Sequence, residues 1–145
     1  MLSRALFYRR DYVLRLVRGE DVFTTIAAFC EKEGISHGTF RAIGAVEKSK
    51  IGYYDLPTKK YGQKEYADAM EVASMTGNIA LVEGKPFIHC HAVLSGITLG
   101  TENQPVGGHV FEAVVAVTLE VHLEAYDVPV TRELDEEIGL KLLDL

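Results

Sequence analysis

The chain predicts an α+β fold: a mostly antiparallel β-sheet with one principal helix, in a single compact domain. Three observations predict it. Only one segment, Asp21 to Glu33, combines helical apolar spacing with signals at both ends. From Thr39 to Asp127 the apolar residues instead recur in short β-type runs separated by Gly, Pro and charged clusters. The length, 145 residues with 48% hydrophobic and 25% charged, suits one domain with a real core and excludes wholesale disorder. The domain is read as residues 1–145, with a core of about 11–127 and a C-terminal tail or short helix over 128–145.

Asp11 to Val17 alternates in the manner of a strand. Arg18-Gly19-Glu20-Asp21 then turns the chain into the helix, with Asp21 as N-cap. Val22, Ile26, Phe29 and Cys30 form the apolar stripe, which Phe23 and Ala27 widen. Gly34 is placed as the C′ glycine, and Ile35 as the residue that packs back on the helix. Thr39–Val46 and Ile51–Leu56 read as two short strands, and Pro57–Lys64 as a charged loop. Met70–Met75 and Asn78–Val82 follow, broken at Gly77, and Phe87–Ser95 is the next strand.

The plainest pattern lies near the C-terminus. Phe111, Ala113, Val115, Val117, Leu119, Val121, Leu123 and Ala125 are all apolar, while Glu112, Thr118, Glu120, His122 and Glu124 lie between them. A period of two means one buried face and one wetter face. The run exceeds the usual strand length, so it predicts a bend or bulge within it. Beyond Pro129, Thr131 to Leu142 reads as a short helix capped by Thr131.

The formal net charge is −6, from 15 basic and 21 acidic residues. Basic groups concentrate at Arg4–Arg18 and Lys48–Lys64, but the overall field repels a polyanion, so direct nucleic-acid binding is disfavoured. No apolar run approaches the roughly 20 residues needed to span a bilayer. No export signal is found, and the expected compartment is the cytoplasm. Cys30 and Cys90 read as small core residues rather than a disulfide.

The chemically distinctive segment is Pro86-Phe87-Ile88-His89-Cys90-His91, followed by Val106-Gly107-Gly108-His109. In a strand, His89 and His91 project from one side and Cys90 from the other. If the two runs pair antiparallel about a turn centred near Gly100, His109 falls roughly opposite His91, within about 5 Å between Cβ atoms. One His on such a strand is ordinarily a hydrogen-bonded core or rim residue. Three neutral imidazoles on adjacent strands form a ligand set that suits zinc and leaves a fourth position open. His37 reads as a surface turn residue and His122 as structural.

Together these segments resemble the PPC (plant and prokaryote conserved) domain family, in its stand-alone prokaryotic type, over about Tyr12 to Asp127. The resemblance starts at Arg18-Gly19-Glu20-Asp21. It runs through Gly34-Ile35-Ser36-His37-Gly38-Thr39-Phe40-Arg41-Ala42-Ile43-Gly44-Ala45-Val46 and Met70-Glu71-Val72-Ala73-Ser74-Met75-Thr76-Gly77-Asn78-Ile79. Its specific part is the Pro-Phe-x-His-x-His and Gly-Gly-His pair. The resemblance implies a homotrimer, with a metal site at His89, His91 and His109. Plant members carry AT-hooks for DNA; this sequence has no Arg-Gly-Arg-Pro hook. Many relatives place an acid after the Ser that ends the His strand, where this chain has Gly96.

Three function classes follow. The first is a zinc-binding trimer, with a metal-dependent activity on an unknown small-molecule substrate and Glu112 or Glu71 as candidate general base. The second is a non-catalytic oligomerisation or interaction module. The third, against the charge, is a DNA-associated regulator.

Overall fold

The computed structural model describes residues 4–6, 8–96 and 104–145. The turn expected near Gly100 lies outside the described residues. The elements run β1 (Tyr8–Val17), α1 (Val22–Glu33), β2 (Gly38–Asp55), β3 (Lys60–Tyr66), β4 (Met70–Val82), β5 (Lys85–Gly96), β6 (Val106–Tyr126), β7 (Thr131–Asp135) and β8 (Leu140–Asp144). Among the described residues all the strands join one sheet beside one helix, the α+β arrangement expected. The ladder closes on itself: β2 pairs with both β6 and β4, β6 with β5, and β5 with β4, each antiparallel. β1 continues the sheet beyond β6, and β3 beyond β2.

Local chemistry explains α1. The Asp21 carboxylate accepts from the Thr24 backbone N–H at 2.8 Å, a cap that contributes about 1 kcal/mol. At the other end Gly34 adopts φ 65°, while Ile35 N–H donates to Cys30 C=O and Gly34 N–H to Glu31 C=O. That pair of bonds is a Schellman closure. The stripe of Val22, Ile26 and Cys30 faces β5 and β6 and is fully buried. Each such side chain contributes about 1.5–3 kcal/mol through apolar burial. Ile79, Leu94, Leu119 and Leu123 complete the core around it. Both cysteines are free and buried.

Several strands are longer than the sequence suggests, and the reason is close packing at glycine. Gly77 is not a break: a Cβ there would meet the Phe40 ring and His89 C=O at 2.5 Å, so only glycine lets β4 run on beneath them. Likewise β2 is one strand and not two. At Gly44, with φ 147°, its backbone passes against Thr118 C=O. β6 carries the expected irregularity there: Gly44 pairs with Leu119 but Val46 with Val115, so β6 holds two extra residues. The bulge throws Val117 out of the apolar series to 71% exposure. A further shift, where Lys50 pairs with Glu112 and Ile51 with Val110, moves Phe111 off the buried face.

Two further expectations are corrected. Pro57–Lys64 is not all loop: its second half begins β3, a polar edge strand whose register with β2 starts at Asp55–Lys60. The C-terminal helix over 131–142 is instead the hairpin β7–β8. Asp135 closes its turn by accepting from Ile138 N–H at 2.9 Å, and Gly139 takes φ 82°. Arg132 is buried and β7 docks on β4 through the parallel Leu81–Thr131 pair. Among the described residues no helix is long and apolar enough to cross a membrane.

Candidate metal centre

Strand alternation sets the two faces of β5. Ile88, Cys90, Ala92 and Leu94 point into the core, and Phe87, His89, His91 and Val93 point out. β6 brings the third imidazole, since His91 and His109 are register partners. The Gly107-Gly108 pair has a steric reason. A Cβ on Gly107 would stand 3.0 Å from Ala92 C=O, and one on Gly108, at φ 151°, 2.6 Å from Gly52 C=O. Side chains there would push β6 off β5 or β2 and carry His109 with it.

The three ring centroids lie 5.0, 5.2 and 5.4 Å apart, and one nitrogen of each ring lies within 4.8 Å of the others. A tetrahedral ion bound at ~2.0–2.1 Å needs nitrogens about 3.3 Å apart, so the rings fit after small χ adjustments. His89 and His109 are half-buried and His91 exposed. Burial first, then the positive Arg132 and the neighbouring histidines, pushes the His89 imidazolium down to about 4. Burial likewise lowers His109, followed by His91 and Arg132. Both rings are therefore neutral near pH 7 and keep the lone pair a metal needs.

Around the cluster lies a cavity of about 620 Å³, walled by Tyr61, Phe87, Phe111, Leu140 and Leu142 among others. Tyr61 and Phe111 pack on the His109 ring at centroid distances of 5.2 and 4.6 Å. Arg132, from β7, enters from the hairpin side. It donates to Asn78 Oδ1 at 2.7 Å, to Lys141 C=O at 3.0 Å and to His89 Nδ1 at 3.2 Å. Its Nε–H is buried with no partner. No carboxylate lines this cavity among the described residues. Sequence reasoning missed Arg132 because it read the segment as helix; the Asp135–Gly139 turn signal was the available clue.

The other expected residues fall elsewhere. Glu112 pairs with Lys48 at 2.5 Å, and Glu71 is an exposed residue opposite Ser95 and Ala45; neither lines the cavity. Gly96 ends β5 opposite Met70. His37 is not a surface turn residue: it is 6% exposed, its Nδ1 is 2.8 Å from Ile79 C=O, and its ring lies against Tyr126. His122 faces Arg41 at 3.3 Å on the outer face of β6; it is not one of the three clustered rings, but with Glu124 it lines a second cavity of about 630 Å³ that also borders His89 and His91.

Residues 7–127 match the model of the Plants and Prokaryotes Conserved (PCC) domain. A crystal structure of a metal-containing protein from Archaeoglobus fulgidus is 35% identical, with TM-score 0.89 and 98% of each chain covered. A plant- and prokaryote-conserved (PPC) protein from Pyrococcus horikoshii is 31% identical, with TM-score 0.90, covering 100% of this chain and 98% of that one. A candidate DNA-binding protein from Ralstonia eutropha JMP134 is 32% identical, with TM-score 0.83 and coverage of 92% and 90%. No curated protein matches the chain significantly.

Proposed function

Because the chain belongs to the Plants and Prokaryotes Conserved domain family, we propose that it is a metal-binding member of that family, holding one zinc ion on His89, His91 and His109. The observation that carries this reading is the pairing of His91 with His109 across β5 and β6, with His89 on the same face. The metal-containing relative from Archaeoglobus supports it. Three imidazoles would leave a bound zinc ion one position open, and the chemistry it would supply there is activation of water near neutral pH, useful to a hydrolase or lyase. The chain's own part is to hold three neutral rings in an aromatic-walled cavity. Neither Glu112 nor Glu71 is placed to act as base.

The proposal includes assembly as a homotrimer in the cytoplasm. An apolar set on the outside of the sheet, Val13 at 78%, Ile43 at 59% and Val117 at 71% exposure, supports a subunit contact, and light scattering tests it. The same surface favours the second reading, an interaction module. The net charge of −6 weighs against DNA as the partner.

Elemental analysis of untagged protein tests the metal assignment. One zinc per chain, absent from the His89→Ala/His91→Ala variant, is expected. No metal in either, even after zinc soaking, overturns it.

A further inference from the structure

We infer that Arg132 makes the cavity beside the histidine cluster a receptor for a small molecule bearing a carboxylate on an apolar or aromatic body.

Arg132 is 8% exposed, and the hydrogen-bond acceptors of its guanidinium are a neutral amide, a backbone carbonyl and an imidazole. No acid lines the cavity among the described residues. A buried cation without a counter-charge is costly, and buried charges are ordinarily paired. Its Nε–H, one edge of the donor fork, is buried and unpartnered, so part of its donor capacity is unspent.

Hydrogen-bond roles add a second step. A guanidinium only donates, so His89 Nδ1 accepts from Arg132, and in the neutral ring the proton sits on Nε2. A His89 that binds metal through Nδ1 gives up that acceptor. One that binds through Nε2 must carry its proton on Nδ1, and again cannot accept. Either way the Arg132 donor is released into the cavity. Three neutral rings, a dication and a guanidinium then carry excess positive charge that an anion would balance.

The walls choose the anion. Tyr61, Phe87, Phe111, Leu140 and Leu142 are aromatic or aliphatic, and the Arg132 guanidinium stands 5.7 Å over the Phe87 ring. Lys141 also lines the cavity, but its ammonium is engaged by Glu83 at 2.9 Å, so one arginine fork between largely apolar walls suits a monoanionic carboxylate rather than a phosphate dianion, which calls for more donors. The volume of about 620 Å³ accommodates a small organic acid. Arg132 lies beyond residues 7–127, the stretch matched to the family, so the acidic ligand is read off β7 and not off the family motif.

This inference rests on the metal reading for part of its charge argument, and its test separates the two. Benzoate, benzamide and inorganic phosphate are titrated by calorimetry into zinc-soaked and metal-free protein at matched ionic strength, with zinc content measured for every sample. We expect benzoate to bind at least about tenfold tighter than benzamide and phosphate. Arg132→Gln should remove that preference, and Arg132→Lys should keep part of it. Asn78→Asp supplies an isosteric acid against the guanidinium. It should also remove the preference with the hairpin folded, whereas a purely structural Arg132 would leave it unchanged. Zinc bound without a benzoate preference overturns the inference and leaves the metal reading intact. An Arg132-dependent preference in protein that takes up no zinc upholds the inference and overturns the metal reading. Phosphate binding more tightly than benzoate overturns the carboxylate assignment.

Discussion

The two faces of β5 share one backbone and differ in everything else. Inward, Ile88, Cys90, Ala92 and Leu94 are 1–6% exposed and pack among other apolar side chains. Outward, His89 and His91 meet His109 and Arg132 in a half-open cavity. The inner face uses its atoms for stability, where a lost methylene leaves a void. The outer face holds polar groups that only partly satisfy one another. A strand can therefore carry a chemical site at little cost to the core, because alternation keeps the two sets of side chains from touching.

If that division holds, substitutions on the two faces should separate cleanly. The largest effect belongs to His89→Ala/His91→Ala: complete loss of bound metal, with the sheet retained by circular dichroism. Unfolding of this variant would show that the outer face is structural. Next, Leu94→Ala should lower unfolding stability by about 2–5 kcal/mol in denaturant titration while the folded fraction keeps its metal stoichiometry. Gly108→Ala should breach the division from the backbone. Strain at φ 151° and the approach to Gly52 C=O should cost about 1–3 kcal/mol. The same change should displace His109, so zinc affinity falls along with the unfolding midpoint. Asp21→Ala, at the far end of the helix, should cost only about 1 kcal/mol and leave metal binding untouched. A change in zinc content there would mean that α1 governs the site through β5.

The pattern of correct and incorrect expectations follows the range of the interactions involved. α1 was legible from end to end because its cap, stripe and closing glycine act within a few residues of one another. The histidine set was legible because a period of two and a plausible pairing suffice to align His91 with His109. Gly77 misled because its meaning depends on Phe40, far away in the chain. Thr131–Leu142 misled because its apolar spacing is compatible with a helix, and contact with β4 decides for a hairpin. His37 was misplaced for the same reason, since the carbonyl that holds it belongs to Ile79.

The amino-acid sequence by itself determined the α+β class, the principal helix with its boundaries, and three imidazoles on facing strands, all consequences of local periodicity and steric rules. The tertiary structure decided that β2 and β4 run unbroken, that β6 bulges at Val117, and that Arg132 enters the cavity beside His89. Those outcomes depend on close approach between segments distant in the chain, where packing and desolvation outweigh any preference of the residues themselves.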